Sequence, residues 1–274
     1  MNSSTRVAWT LFAGISLGLA VSAKGANLAS DNAADPAYNA GWIAGANGGT
    51  GFGAWSMLPV GTPPQFSYFV GSSAANGATP PSGSIDVAGK SWGLSNAIPD
   101  FCKATRPLTG GSLSVGQHVL VDMDSGAVGG FVQFALAAGN AERFSWFVDG
   151  SATGTYLYLN QQSPTLVTEI NTAIPLTSNG LHLDFALTGP NTFAIDATPS
   201  GGALHHFTGA LEGTPGSGID RVELLNYGAG TSPSHDLFFN NLTVTPEPAE
   251  MGTIAFLSLL VIRRRRPITS PAKQ

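Results

Sequence analysis

Leu181-His182-Leu183-Asp184-Phe185-Ala186-Leu187 alternates apolar with mostly polar or small side chains through seven positions. A period of two puts Leu181, Leu183, Phe185 and Leu187 on one face and His182 and Asp184 on the other. That is the signature of an antiparallel strand with one buried and one solvated face. Ser178-Asn179-Gly180 before it and Gly189-Pro190-Asn191 after it are turn chemistry. The unit recurs outward in both directions. Residues 66–70, 117–123, 131–137, 142–148 and 155–159 read as strands upstream, and 192–197, 205–211, 221–226 and 237–244 downstream. No stretch outside the two ends holds a 3.6-residue period. Ten or so short strands separated by Gly, Pro and Asn predict an all-β fold, an antiparallel jelly-roll sandwich of two sheets. No fixed repeat points to a propeller or solenoid.

Composition supports this reading. Only 11% of the 274 residues are charged, against about 25% in typical soluble domains, while Gly (35) and Pro (18) are abundant. Both residues starve long helices. Cys102 is the only cysteine, so an intramolecular disulfide and a Cys-x-x-Cys zinc site are both excluded, and a small buried hydrophobe is expected there. Seven of the 12 Lys and Arg lie near the ends. Between Asp31 and Thr245, Lys90, Lys103, Arg106, Arg143 and Arg221 face fifteen acids, a net charge of −10. Such a body repels phosphate backbones and anionic headgroups, and no nucleic-acid partner is expected.

The two ends have a different character. Arg6 precedes the weakly polar to apolar run 7–21, and Val21-Ser22-Ala23 supplies small residues for cleavage. Residues 1–23 therefore read as a signal peptide, a helix removed by signal peptidase. Residues 24–245 form the sandwich domain. At the other end, Thr245-Pro246-Glu247-Pro248 stops the last strand, because proline cannot donate to a ladder. The apolar run 251–262 follows, then Arg263, Arg264, Arg265 and Arg266. Twelve helical residues reach about 18 Å, less than a hydrocarbon core of about 30 Å. This short apolar transmembrane helix would need local thinning of the bilayer, with the arginines cytoplasmic and the domain outside.

The segment 246–274 resembles the PEP-CTERM sorting signal of exopolysaccharide-producing Gram-negative bacteria: Pro246-Glu247-Pro248, an apolar helix and an arginine cluster, in that order. The resemblance implies recognition by an exosortase and removal of the tail near Pro-Glu-Pro, so that the chain meets a membrane only before processing. Eight residues, 267–274, trail the arginines, where such proteins commonly end almost at once. The body is similar to the concanavalin-A-like sandwiches of many sorted surface proteins. That similarity rests on the Gly- and Trp-rich block 31–55 and on the closing run from Gly218-Ile219-Asp220-Arg221-Val222 to Asp236-Leu237-Phe238-Phe239-Asn240-Asn241-Leu242. It implies a fold, and a fold alone does not set a function.

Chemistry-bearing motifs are sparse. The Glu-x-Asp-x-x-Glu pattern of sandwich glucanases is absent, and Glu142, Glu169, Glu212 and Glu223 have no partner acid at that spacing. Asp122-Met123-Asp124 puts two acids on one strand face, where a Ca²⁺ ion is conceivable, with a solvated strand-end pair as the plainer reading. No other cofactor is expected. His205 and His206 are adjacent and point to opposite faces, and no His-Glu-x-x-His occurs. Gly48-Gly49-Thr50-Gly51-Phe52-Gly53 lacks the strand–helix unit of a nucleotide site and reads as a loop. Trp42, Trp55 and Trp92 are the candidate glycan-binding residues, since exposed indoles stack on sugar rings, although tryptophan is more often core. The expectation is an exported, non-catalytic protein of the cell surface or extracellular matrix of a Gram-negative bacterium. Its role would be structural or glycan-binding, with extracellular polysaccharide as partner. The alternatives are a polysaccharide hydrolase or lyase using Asp122, Asp124 or a Glu from another strand, and a self-associating coat protein.

Overall fold

The computed structural model describes residues 26–60, 66–76, 84–97, 101–150 and 154–246. The signal peptide and the sorting tail, with Glu247, Pro248 and Arg263 to Arg266, lie outside the described residues. Only Pro246 of that signal lies within them.

Fifteen strands and three short 3-10 turns make up the described regular structure. The strands are β1 (Ala29–Asp31), β2 (Ser56–Val60), β3 (Phe66–Gly71), β4 (Ser91–Asn96), β5 (Phe101–Pro107), β6 (His118–Asp124), β7 (Phe131–Ala138) and β8 (Ala141–Asp149). They continue with β9 (Thr155–Ser163), β10 (Leu166–Pro175), β11 (Leu181–Gly189), β12 (Thr192–Pro199), β13 (His205–Ala210), β14 (Arg221–Tyr227) and β15 (Leu237–Thr245). One sheet runs β13-β12-β11-β6-β15-β4-β3, with β1 also on β15; the other runs β10-β9-β8-β7-β14-β5-β2. The registered strand pairs are antiparallel throughout. The all-β, two-sheet architecture read from the alternation is thus the observed one.

All ten strands expected from alternation are present, within a few residues at each end, and five more join them. Two of the additions lack a readable pattern for physical reasons. In β5 the inward residues are Cys102, Ala104 and Arg106, so a guanidinium occupies a core position. In β10 most side chains are solvated, because that strand forms an edge and pairs only with β9.

The core between the sheets is aromatic. Phe144 meets Phe185 and Phe193 across the gap at 4.8 and 4.9 Å between ring centroids. At the other end the N-terminal block closes over a second cluster. Arg106 and Asp31 form an ion pair with both side chains fully buried. Tyr38 donates its hydroxyl proton to Asp31, and the Arg106 guanidinium lies 4.8 Å from the Phe52 ring and 5.0 Å from that of Trp55. Burial pushes the Tyr38 hydroxyl up to about 12, so it remains a donor at any ordinary pH. Cys102 is buried, as expected, and burial likewise raises its thiol to about 12.

Candidate functional site

The three tryptophans belong to this second cluster. Trp42, Trp55 and Trp92 are 1%, 2% and 0% exposed, and their rings pack against one another at 5.0 to 6.1 Å. Trp55 Nε1 donates to the Tyr38 hydroxyl at 3.1 Å. An indole enclosed on all sides presents no face to a sugar, so the stacking platform expected at these residues is not formed by them. The Gly-rich loop pairs with β1 at Ser30–Thr50 and with Leu108 at Phe52.

Asp122 and Asp124 also part company. Asp122 is partly exposed, accepting from His182 Nδ1 and from Asn241 Nδ2, each at 2.6 Å. Asp124 is fully buried, because the 3-10 turn Ser73–Asn76 folds over it and Asn76 Nδ2 donates to Oδ1 at 2.9 Å. The solvated pair expected at this strand end is therefore not what forms. The two carboxylates have different partners, and no group of three or more His, Cys, Asp or Glu able to hold a metal occurs among the described residues.

The surface with organised chemistry is the outer face of the seven-stranded sheet, and the strand register maps it. Phe101, Tyr227 and Phe131 lie side by side on β5, β14 and β7. The next row holds Lys103, Leu225, Gln133 and Phe147. Beyond it come Thr105, Glu223, Ala135 and Ser145, then Arg221, Ala137 and Glu142. The middle of the face is low: Ala135, Ala137 and Ser145 are fully covered, although they point away from the core cluster. Larger neighbours close over them, so this trough between the two ends of the face is filled by side chains. One end is aromatic, with Phe131 and Phe147 at 5.1 Å and Tyr227 45% exposed. The other end is polar and acidic.

A hydrogen-bond network organises the polar end. Ser145 Oγ lies 2.9 Å from Glu142 Oε2 and 3.2 Å from Glu212 Oε1, and Gln133 Nε2 donates to Glu142 Oε2 at 2.9 Å. One hydroxyl carries one proton and cannot donate to both carboxylates at once. Burial raises the Glu212 pKa and the nearby Glu142 adds to the effect, while the Ser145 hydroxyl and the Arg143 charge lower it. Lys103 Nζ pairs with Glu223 at 3.0 Å.

Local structure places these groups. A register shift in β7–β8 at Leu136/Ala137 leaves Glu142 opposite Ala137 and facing the trough. Glu212 lies just past β13, held as its N–H donates to Arg143 O at 2.8 Å while the Arg143 guanidinium donates back to Glu212 O. By spacing in the sequence, Glu142 and Glu212 are isolated acids. Nothing local connects residues 70 positions apart; the alternation in 131–137 does show small residues on the outward side.

The molecule is thus an antiparallel two-sheet sandwich with an amphipathic trough on one outer face. No protein-family model and no curated protein matches the chain. Among solved structures, a galectin of Caenorhabditis elegans is 12% identical, with 52% of this chain and 89% of the galectin covered and a TM-score of 0.36. An endo-β-1,4-glucuronan lyase of Trichoderma reesei is 7% identical, covering 69% and 90%, at a TM-score of 0.43. A carbohydrate esterase of the Shiga toxin-encoding bacteriophage phi24B is 14% identical, covering 70% and 90%, at 0.41. Likenesses at this level concern the sandwich architecture alone.

Proposed function

We propose that this chain is an exported sandwich protein that binds polysaccharide on the outer face of its seven-stranded sheet, outside a Gram-negative cell, after an exosortase has removed its tail. The observation that carries the binding role is the join of an aromatic end and a polar end on that face. Tyr227 is exposed and stands beside the partly exposed Phe101 and Phe131, with the partly exposed Lys103 and Glu142 on the same face. Sugar rings have apolar faces edged with hydroxyls, and they match a surface that joins aromatic and hydrogen-bonding groups. Export is supported by the apolar N-terminal run, and sorting by Pro246-Glu247-Pro248 with Arg263 to Arg266. Mass spectrometry of the mature protein tests the sorting claim: a chain still ending at Gln274 in a host carrying an exosortase would refute it.

Glycan-array binding by the purified chain tests the function. Selective binding that falls at least tenfold in Tyr227→Ala, with unchanged circular dichroism, is the expected result. Silence across a broad array would leave a structural coat role as the better account.

One observation favours a catalytic reading as the second choice. Glu142 and Glu212 share a hydroxyl, so two carboxylates stand close together, and burial shifts the Glu212 pKa upward, the direction a general acid requires. Release of reducing ends from a bound polysaccharide, abolished in Glu142→Gln and Glu212→Gln, would establish it. Binding without release would establish the non-catalytic role.

A further inference from the structure

The opposite surface of the sandwich carries a separate arrangement. Three imidazole–carboxylate pairs stand on the outer face of the eight-stranded sheet: His118–Asp184 at 2.7 Å, and His182–Asp122 and His206–Asp196 at 2.6 Å, each through Nδ1. The His182–Asp122 pair differs from the other two. Both oxygens of Asp122 are held, Oδ1 by His182 and Oδ2 by Asn241 Nδ2 at 2.6 Å. Asn241 reaches it from the register shift in β15, with φ at 53°, a left-handed conformation that asparagine tolerates better than most residues. Strained, re-aimed side chains of this kind recur at functional sites. The pair also lines a cleft of about 280 Å³, walled by Thr198, Ser200, Gly180 and Gly201. With Nδ1 occupied by Asp122, the ring leaves Nε2 as its open nitrogen, without a hydrogen-bond partner among the described residues.

From this geometry we propose that His182, positioned by Asp122 and Asn241, is a general base for hydrolysis of small acyl esters held in the cleft, an activity separate from the trough. Nε2 takes a proton from a water as its oxygen bonds to the ester carbonyl carbon. Collapse of the tetrahedral intermediate breaks the ester C–O bond, and the Nε2 proton passes to the departing alkoxide, leaving a carboxylic acid and an alcohol. Asp122 fixes the tautomer with Nδ1 protonated and stabilises the imidazolium formed midway. The bond to Asp122 raises the His182 pKa above its ordinary value, and Asp184 adds to this.

The full chain with p-nitrophenyl acetate is the test, and the molecule contains its own controls. His182→Ala is expected to lose at least tenfold in rate and to regain part of it with free imidazole. His118→Ala and His206→Ala, which remove the same pair outside the cleft, keep the parental rate. Asp122→Asn moves the acid limb of the pH–rate profile to lower pH, because the imidazole loses its carboxylate. Equal losses in the three histidine variants, or no loss in His182→Ala, would mean adventitious surface imidazole and overturn the proposal. Glycan binding measured on His182→Ala reports separately on the trough.

Discussion

Asp124 is the residue whose burial contradicts its composition most sharply. It is fully enclosed, and neither its Oδ2 nor Asn76 Oδ1 has a hydrogen-bond partner among the described residues. Desolvation pushes its pKa from 3.8 up to about 6, against the pull of Asn76 and the Gly126 N–H. The sign of the consequence follows from proton linkage. Between about pH 4 and 6 the folded chain binds more protons at this site than the unfolded chain, so stability falls as pH rises through that window. Asp236, raised to about 7 by burial, acts in the same direction. Asparagine mimics the protonated acid, so Asp124→Asn should raise the melting temperature at pH 8 and leave it nearly unchanged at pH 4, as scanning calorimetry at the two pH values will report. Sequence alternation put Asp124 on the same face as Asp122. The cover over it comes from Asn76, 48 positions earlier, a contact no local pattern encodes.

Among the elements, the loop 48–53 shows what glycine was needed for. Gly51 has φ at +73°, and a Cβ there would sit 2.1 Å from Leu28 O; Gly49 has φ at +65° and would meet Ser30 O at 2.0 Å. The loop must lie directly on β1 to form the Ser30–Thr50 pairing, and only glycine permits both the approach and the left-handed backbone. Gly51→Ala should destabilise the fold by about 1–3 kcal/mol, read as a lower urea midpoint at unchanged slope. A strand-and-turn reading recovers elements whose inward side is uniformly apolar, such as β11. It misses β5, where Arg106 points inward, because a buried guanidinium is acceptable only once Asp31 and the Phe52 and Trp55 rings surround it.

On the scale of the whole molecule, that buried pair joins the N-terminal block to β5, and Cys102 reports on the same strand. With its thiol enclosed and raised to about 12, Cys102 should react with a disulfide reagent only as fast as the sandwich opens. Labelling at native pH that outruns hydrogen exchange of the core amides would show that β5 opens by itself. Arg106→Met leaves Asp31 buried without its cation and should cost about 3–5 kcal/mol, measured by chemical unfolding. The sequence by itself determined the all-β class, the places of ten strands, the inward side of β11 and the burial of Cys102, because period-two alternation and turn residues act over a few positions. Only the tertiary structure decided that Trp42, Trp55 and Trp92 face inward, that Asp124 is enclosed, and that Glu142 meets Glu212 through Ser145. These outcomes depend on loops and strands far apart in the chain closing over one another, and a polar or aromatic residue has no environment until they do.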